Sequence, residues 1–468
     1  MSTAELIQDD FAEVAENRRV HYFRTLLKDF DREVSTKVEK FAQFCEWLDQ
    51  LSDDAITRSY QRHYNPTYLN LLSVFGEERP KEDVHSLTIK CIKTKLWNEC
   101  EYYFHLSKLL ERVKSSKSPE GAATDETLIR LKGWEPELIR ALLKRGRGLV
   151  VCSFRFGAIR YIPIEIALLG FSILEAVNKP THEVMQSAFD SLGPCSSGEA
   201  LVPTQELSPQ SENIRFLKTV NAEDARCTVE LVNALKRGES IGLCIEGNTG
   251  SDGPWGDTSK STINFLGHSI SAKNGAARLA AALGAPILPV IALREGDGSG
   301  QLLFSEPIVP PAGLKRSGNE EFVHATMQSL YTLLENYVRR YPEQWEGWSA
   351  LHRWRVHEAE AAATNQAARY ISPQEIAALL RDGRTFRVNQ RRLAELPTKE
   401  GSMWVDLKTL KGFQNPKWAG GENILATLSE SQGLDLTWIK KSSRDPQWEE
   451  KICLLLAHLQ ESGLVASS

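Results

Sequence analysis

Apolar residues near the start of the chain recur at intervals of three and four positions. Phe23, Leu26, Leu27 and Phe30 form one such set. This spacing places the apolar side chains on one face of an α-helix. The pattern therefore predicts a helical N-terminal region over residues 1–126.

Two prolines and one polar segment interrupt this helical pattern. Pro66 and Pro80 each lack the N–H that a helix interior needs, so we expect helices to end at Asn65 and Arg79. Residues 114–121 are polar and show no periodicity, which predicts a linker. This linker ends the helical region.

Beyond the linker, short apolar runs alternate with amphipathic helices. Four runs are typical of strands: Gly148–Phe154, Phe171–Val177, Ser240–Ile245 and Ala285–Leu293. Alternation of strands and helices indicates an α/β layered fold with a mostly parallel sheet. The first, third and fourth runs are apolar almost throughout, which indicates burial on both faces. We expect one α/β domain over residues 127–357.

The C-terminal part of the chain, residues 358–468, predicts a small α+β domain. Ser372 and Glu375 form a capping box with a proline between them. Strand-like runs follow at Thr385–Val388 and Met403–Leu407, and amphipathic helices close the chain. This order of helix, short strands and helices is similar to a winged-helix-like domain.

Composition narrows the class of protein. The chain has 468 residues, of which 41% are hydrophobic and 25% charged, so disordered, fibrous and membrane-spanning classes are excluded. Lysine and arginine total 56 against 61 acidic residues, and the net charge of −5 does not favour nucleic acid as a partner.

Cysteine usage and the N-terminus indicate the compartment. The eight cysteines contain no CxxC pair, and no secretory signal precedes them. We therefore expect reduced thiols, with neither disulfides nor metal sites. The acidic N-terminus and the lack of a transmembrane segment predict a cytoplasmic location.

Three motifs overlap predicted strands: Gly148–Gly157 (GLVVCSFRFG), Cys244–Gly253 (CIEGNTGSDG) and Ala285–Val290 (APILPV). In order and spacing they resemble the lysophospholipid acyltransferase superfamily, and within it the late acyltransferases of lipid A biosynthesis. Pro342–Trp345 and His352–Arg355 are similar to the helical close of the lipid A enzymes. The resemblance implies an acyltransferase-like α/β fold for the middle region and extends to neither terminal region.

In that superfamily a histidine, and a carboxylate five residues later, form a proton-handling dyad. Here the matching positions are Arg155 and Arg160. A guanidinium stays protonated in cells, so neither residue can act as a general base. Two arginines can instead bind a phosphate or carboxylate, above all beside the helix start expected at Gly157. The alternative is that both pair with acidic residues such as Glu165 or face solvent.

The catalytic residues are unknown from the sequence, and two side chains are further candidates. Ser153 shares a strand face with Arg155 and would need a base from elsewhere, for which His268 is one distant candidate. Cys152 points to the opposite face and is expected to be a core thiol. For a lone histidine the usual alternative is a structural or solvated role.

The block of Glu246, Gly247 and Asn248 follows an apolar run, at the expected carboxyl edge of the sheet. Ligands bind at that edge in open α/β folds, and the resemblance implies acceptor binding by this block. Lys273 precedes the next predicted helix and joins this block and the two arginines as a substrate-binding candidate. The alternative is a plain surface turn.

A basic cluster of Arg140, Lys144, Arg145 and Arg147 precedes the first apolar run. It is a candidate landing patch for an acidic carrier protein or a phosphopantetheine arm. The alternative is a solvated helix end, because cations are favoured at a helix C-terminus.

Two hypotheses about function follow. In the first, the protein is a soluble acyltransferase-like enzyme in specialised metabolism. It takes an acyl or aminoacyl thioester from a carrier protein or coenzyme A, and passes the group to a small hydroxyl or amine acceptor. No cofactor is expected besides this donor substrate.

In the second hypothesis, the protein is a catalytically silent relative that binds a ligand or peptide as the partner of another biosynthetic enzyme. A DNA-binding interpretation of the C-terminal domain depends only on Lys440, Lys441 and Arg444, and the negative net charge opposes it.

Overall fold

The protein is represented by a computed structural model. The structure describes residues 21–23, 25, 27, 34–115, 131–133, 135–190, 216–247, 260–295, 299–313, 316–356, 371–388, 393–398, 401–406, 412–414, 424, 427–428, 433–442, 447–461 and 465–467.

Helices make up the first long described segment. They are α1 (Val34–Gln50), α2 (Asp53–Ser59), α3 (Gln61–Phe75) and α4 (Lys81–Ser115). The break expected before Pro80 is confirmed, because α3 has ended before this residue. The break expected at Pro66 is wrong, because α3 runs through it. This proline lies in the second turn, where its missing N–H removes one hydrogen bond, to the Arg62 carbonyl.

Strands and helices alternate through the middle of the chain. The strands are β1 (Leu131–Lys132), β2 (Leu149–Ser153), β3 (Ile173–Val177), β4 (Leu217–Asn221), β5 (Ser240–Cys244), β6 (Lys260–Phe265), β7 (His268–Lys273), β8 (Ile287–Arg294) and β9 (Gly300–Phe304). The helices are α5 (Pro136–Leu143), α6 (Ile162–Leu168), α7 (Lys179–Asp190), α8 (Cys227–Lys236), α9 (Gly275–Leu283), α10 (Arg316–Arg340) and α11 (Leu351–Trp354).

Seven of these strands form one sheet, in the order β1-β9-β8-β2-β5-β3-β4. The five strands from β8 to β4 run parallel, and β9 joins β8 in the antiparallel sense. The predicted α/β fold with a mostly parallel sheet is confirmed. Every residue of β2 is buried, as expected of a central strand that is covered on both faces.

The register of β2 and β5 brings two of the sequence motifs together. Ser153, the last residue of β2, is paired with Cys244, the last residue of β5. Because the two strands are parallel, the chain that follows each one leaves the same edge of the sheet. The arginine motif and the Glu246 block therefore meet at that carboxyl edge.

The antiparallel hairpin of β6 and β7 forms a separate two-stranded sheet. The sequence analysis named only apolar runs as strands and missed this hairpin, in which buried Ser261, Ile263 and Phe265 alternate with more exposed residues, as in a strand with one buried face. Helix α10 packs on β6. Lys273 ends β7, two residues before α9 begins.

The described C-terminal residues form helices and short antiparallel strands. These elements are α12 (Pro373–Arg381), β10 (Phe386–Val388), β11 (Leu393–Thr398), β12 (Gly401–Asp406), β13 (Gly412–Gln414), α13 (Leu436–Ser442), α14 (Trp448–Glu461) and β14 (Val465–Ser467). The capping box of Ser372 and Glu375 is confirmed. The winged-helix-like assignment stays a prediction.

The described residues group into two compact units. One comprises Met1–Tyr64 and Ser86–Arg355, and the other comprises Asn65–His85 and Val356–Ser468. The first unit holds the seven-stranded sheet together with α1 and α2. The three domains expected from the sequence, with boundaries near residues 126 and 357, stay a prediction. No helix in the described segments has the length and apolar character needed to cross a bilayer.

Candidate functional site

The segment Phe154–Tyr161, which we call the arginine loop, follows β2 at the carboxyl edge of the sheet. It turns at Gly157, whose φ of +53° lies in the left-handed region. A Cβ there would also lie 2.1 Å from the Ala292 carbonyl oxygen, so glycine is required. A short 3-10 turn, Ile159–Tyr161, completes the loop.

The helix expected to start at Gly157 starts five residues later. Helix α6 begins at Ile162, with Pro163 in its first turn, where a proline favours helix initiation. Arg155 therefore does not precede the first turn of a helix, and Arg160 lies in the 3-10 turn. The 3-10 turn leads directly into α6, and a contribution of this helix start to anion binding by the arginines stays a prediction.

Arg155 is half-buried and held at both its backbone and its side chain. Its backbone N–H donates to Glu246 Oε2 at 2.5 Å, and its Nη2 donates to the Gly247 carbonyl at 2.7 Å. Burial alone would lower the pKa of Arg155, but nearby Cys244 and Glu246 raise it above its usual value. Arg155 therefore stays a cation and cannot act as a base.

Glu246 is an enclosed acceptor at the end of β5, with 3% of its surface exposed. Its carboxylate accepts hydrogen bonds from the Arg155 backbone, from Trp345 Nε1 at 2.5 Å and from Cys244 Sγ at 3.4 Å. Burial raises the pKa of Glu246, although Arg155 opposes the shift. This carboxylate anchors the arginine loop to the strand edge, and its oxygens face protein donors.

Gly247 lies between two cations. Its φ is +66°, and a Cβ there would lie 2.9 Å from Lys273 Cδ and 3.7 Å from Lys273 Nζ. Arg155 Nη2 donates a hydrogen bond to the carbonyl oxygen of Gly247. The structure therefore brings Arg155, Gly247 and Lys273 together. Asn248, the remaining member of the block, lies outside the described residues.

Arg160 pairs with Glu346 rather than with Glu165, which was the partner considered from the sequence. The two guanidinium nitrogens donate to the two Glu346 oxygens at 2.7 and 3.1 Å, a bidentate pair. Asn98 on α4 donates to the same carboxylate at 3.3 Å. Burial by itself would lower the pKa of Arg160. The charge of Glu346 and its hydrogen bonds outweigh this effect, so the pKa of Arg160 lies above its usual value.

The segment Pro342–Ser349, which we call the closing segment, locks the arginine loop in place. Phe156 forms an antiparallel bridge with Trp345. The Gly157 N–H donates to the Gln344 carbonyl at 2.9 Å, and the Glu346 N–H donates to the Arg155 carbonyl at 2.9 Å. Trp345 and Trp348 are each 1% exposed and belong to the core.

Ser153 and His268 are not assembled into a nucleophile and base. Ser153 is buried at the end of β2, and among the described residues no histidine makes a hydrogen bond with it. His268 begins β7, where burial and the nearby charge of Arg355 lower its pKa to about 4. Burial raises the pKa of Cys152 to about 12, which agrees with the expected core thiol.

The basic cluster lies at the opposite end of β2 from the arginine loop. Lys144, Arg145 and Arg147 are exposed and precede Leu149, the first residue of β2. At about 3.3 Å per residue, five strand residues separate the two ends by roughly 17 Å. A partner docked on this cluster would therefore contact the amino edge of the sheet, whereas Arg155 lies beyond the carboxyl edge.

Two residues of the site were missed by the sequence reasoning. Glu346 directly follows Trp345, and an acidic residue beside a tryptophan gives no sequence signal of an ion pair. Tyr331 on α10 is 1% exposed. Burial, with the charges of Glu246 and Cys244, raises its pKa well above the usual value, so it is a neutral phenol beside the carboxylate.

Comparison with known families agrees with this geometry over part of the chain. Residues 210–355 match the family described as Bacterial lipid A biosynthesis acyltransferase. This match supports a general role in acyl transfer. It covers β4 to α11 and begins after the arginine loop, so the replacement of the dyad by Arg155 and Arg160 stays a prediction. A search of curated proteins found no match to the chain.

Metal chemistry gains no support from the described residues. Within them, no group of three or more His, Cys, Asp or Glu side chains is placed to hold a metal ion.

Proposed function

We propose that this protein transfers an acyl or aminoacyl group from a thioester to a small hydroxyl or amine acceptor. The donor would be coenzyme A or a carrier protein, and in both the thioester lies at one end of a pantetheine arm whose other end carries phosphate. The observation that carries the proposal is the pair of cations, Arg155 and Lys273, on either side of Gly247 at the carboxyl edge of a parallel sheet.

The pair suits a phosphate-bearing donor. Arg155 and Lys273 are both half-buried, so their attraction for an anion is screened less than that of exposed side chains. A guanidinium offers several N–H donors in a fixed plane and an ammonium offers a compact charge, and phosphate accepts from both. The position also agrees with the general location of ligands in open α/β sheets.

Chemistry at this site depends on positioning. The acceptor oxygen or nitrogen forms a bond to the thioester carbonyl carbon, the C–S bond breaks, and the acceptor proton ends on the released thiol. Neither Arg155 nor Arg160 can accept that proton. We therefore expect the site to act by holding donor and acceptor together, which can supply several kcal/mol of the barrier.

The test is a thiol-release assay on the full chain. Acetyl-coenzyme A, longer acyl-coenzyme A esters and acyl carrier proteins are offered with a panel of alcohols and amines, and free thiol is measured. We expect release by the wild type and a loss of at least tenfold in Arg155→Ala. Arg58→Ala, a surface arginine paired with Asp54, is the matched control. Equal release by wild type and Arg155→Ala would contradict the proposal.

The second candidate is a catalytically silent relative that binds such a ligand, or a peptide, in support of another enzyme. The observation that favours it is that both dyad positions make hydrogen bonds within the protein. Arg155 bonds to Glu246 and Gly247, and Arg160 bonds to Glu346. Binding of coenzyme A thioesters without thiol release from any donor and acceptor would support this candidate over the first.

A further inference from the structure

Helix α4 contacts the candidate site at three points along one of its faces. Cys91 Sγ lies 3.7 Å from a carbonyl oxygen of the closing segment, and Asn98 donates to Glu346 in the same segment at 3.3 Å. Glu101 accepts two hydrogen bonds from Arg294, the last residue of β8. Residues 91, 98 and 101 are separated by seven and three positions, so they share one face of the helix. This face of α4 therefore contacts both the closing segment and the end of β8.

The ion pair of Glu101 and Arg294 is enclosed by protein. The guanidinium nitrogens donate to the two carboxylate oxygens at 3.0 and 2.5 Å, which is a bidentate geometry. The side chains of Glu101 and Arg294 are 4% and 11% exposed, so water cannot easily replace either partner. Burial raises the pKa of Glu101, while the charge and hydrogen bonds of Arg294 act in the opposite direction. Because removal of one partner would leave a buried charge, this pair fixes α4 to the end of β8.

Gln344 of the closing segment connects Arg294 to the arginine loop. Its side chain accepts from the Arg294 N–H at 2.9 Å and donates to the Arg294 carbonyl at 2.8 Å. Its carbonyl oxygen accepts from the Gly157 N–H at 2.9 Å. A Cβ on Gly157 would lie 2.9 Å from Gln344 Oε1 and 3.1 Å from the Arg294 nitrogen, so these three residues are in close contact. A displacement of the end of β8 would therefore shift the arginine loop.

Asn98 is connected to the arginine loop by a second, shorter route. Its side-chain amide donates to the Glu346 carboxylate, which also binds Arg160. The Glu346 N–H donates to the Arg155 carbonyl at 2.9 Å. The two routes from α4 therefore reach the backbone of the arginine loop at Arg155 and at Gly157, two residues apart.

We propose that Glu101 and Asn98 are positioning residues for the acyl transfer, because they hold the arginine loop where Arg155 meets the phosphate of the donor. Glu101 acts through Arg294, and Asn98 acts through Glu346. Helix α4 lies outside residues 210–355, so this part of the framework comes from the helical region and not from the matched family domain. The inference rests on the proposed function, in which Arg155 binds the donor.

A positioning role predicts a specific kinetic change. A displaced Arg155 binds the donor less well in the ground state and the transition state alike, so the KM for the donor rises while kcat changes little. Loss of folding stability alone lowers the concentration of active enzyme, which reduces the apparent kcat and leaves KM unchanged. Because hydrogen bonds to charged groups are among the stronger ones, we expect KM to rise on the order of tenfold.

The experiment compares variants of the full chain that leave no buried charge alone. The double variant Glu101→Met with Arg294→Met removes both members of the ion pair and should unfold at a temperature near that of wild type. We expect its KM for acyl-coenzyme A in the thiol-release assay to rise on the order of tenfold, and likewise its Kd for S-ethyl coenzyme A, a thioether that cannot transfer an acyl group, by calorimetry. Asn98→Leu, which keeps the ion pair, should raise both and decides the question if the double variant does not fold. The matched control, Arg58→Met with Asp54→Met, removes an exposed pair and should behave as wild type.

Two results would overturn the inference. One is a double variant with the KM and Kd of wild type, and the other is a lower kcat at unchanged KM, which would show an effect on stability alone. Thiol release from no donor, together with no binding of S-ethyl coenzyme A, would instead overturn the proposed function. Amide exchange at residues 155–161 then decides the inference without activity. Faster exchange in the double variant, at a wild-type unfolding temperature, supports it, and equal exchange counts against it.

Discussion

Removal of the Glu346 carboxylate should loosen the arginine loop. In Glu346→Gln, Arg160 keeps its charge but loses its bidentate partner. Charges about 4 Å apart attract by about 4 kcal/mol at an effective dielectric constant of about 20. The side chain of Arg160 is 28% exposed, and that of Glu346 is 10% exposed, so water compensates part of the loss. We expect a cost of about 2–3 kcal/mol to the local stability of the loop.

Amide hydrogen exchange, followed by mass spectrometry at pH 7, measures this cost. Peptides that cover the arginine loop and the closing segment report on the Gly157–Gln344 and Glu346–Arg155 backbone bonds. Because each 1.4 kcal/mol is a factor of ten, their protection should fall on the order of 30-fold to 150-fold.

Two comparisons keep this result interpretable. Glu183→Gln removes the exposed pair with Lys179 and should change protection by less than threefold. The double variant Arg160→Met with Glu346→Leu should regain much of the lost protection, because no buried charge is left alone. Unchanged protection in Glu346→Gln would show that the pair does not hold the loop. The same conclusion would follow if the double variant lost as much protection as the single variants Arg160→Met and Glu346→Leu lose together.

Three further predictions concern packing and protonation. Gly157→Ala should lower the free energy of unfolding by about 3 kcal/mol or more in thermal unfolding, because the new Cβ would contact the Ala292 carbonyl oxygen. Gly146 also has a positive φ but has open space around it, so Gly146→Ala should cost about 1–2 kcal/mol. Equal costs would contradict the packing argument. In the folded chain, Cys152 should react only slowly with iodoacetamide at pH 8, and mass spectrometry measures the labelling. Rapid labelling would show that Cys152 is not a core thiol. Because burial raises the pKa of Glu175 on β3 from 4.5 to about 8, wild-type stability should fall between those pH values. The urea-measured advantage of Glu175→Gln should thus grow from about 1 kcal/mol at pH 5 to at most about 5 kcal/mol at pH 9, and a constant difference would exclude a raised pKa.

The fold was predictable wherever burial leaves a mark along the sequence. The runs that became β2, β5 and β8 are apolar because helices cover both faces of a parallel sheet. The hairpin of β6 and β7 was missed, because only one of its faces is buried and no apolar run marks it. The helix start after β2 was misplaced, because the backbone at Gly157 follows from its contact with Ala292, which is far along the chain.

The site was predictable in part. The approach of Arg155 to the Glu246 block follows from two parallel strands whose carboxyl ends meet at one edge, which the alternation of elements already implies. The partner of Arg160 was not predictable. Glu346 is 186 positions away, and nothing in its neighbourhood distinguishes it from Glu165 or any other acidic residue.

The sequence by itself determined the layered α/β class, the strands at its centre and the presence of two permanent cations in the arginine loop, because periodicity, burial and side-chain chemistry are local properties. Only the tertiary structure decided which charges meet. It assigns Glu346 to Arg160, encloses Glu246 against Trp345, places Lys273 beside Gly247 and leaves Glu175 in surroundings that favour its neutral form. The physical reason is that charge and solvation depend on distances between residues far apart in the chain.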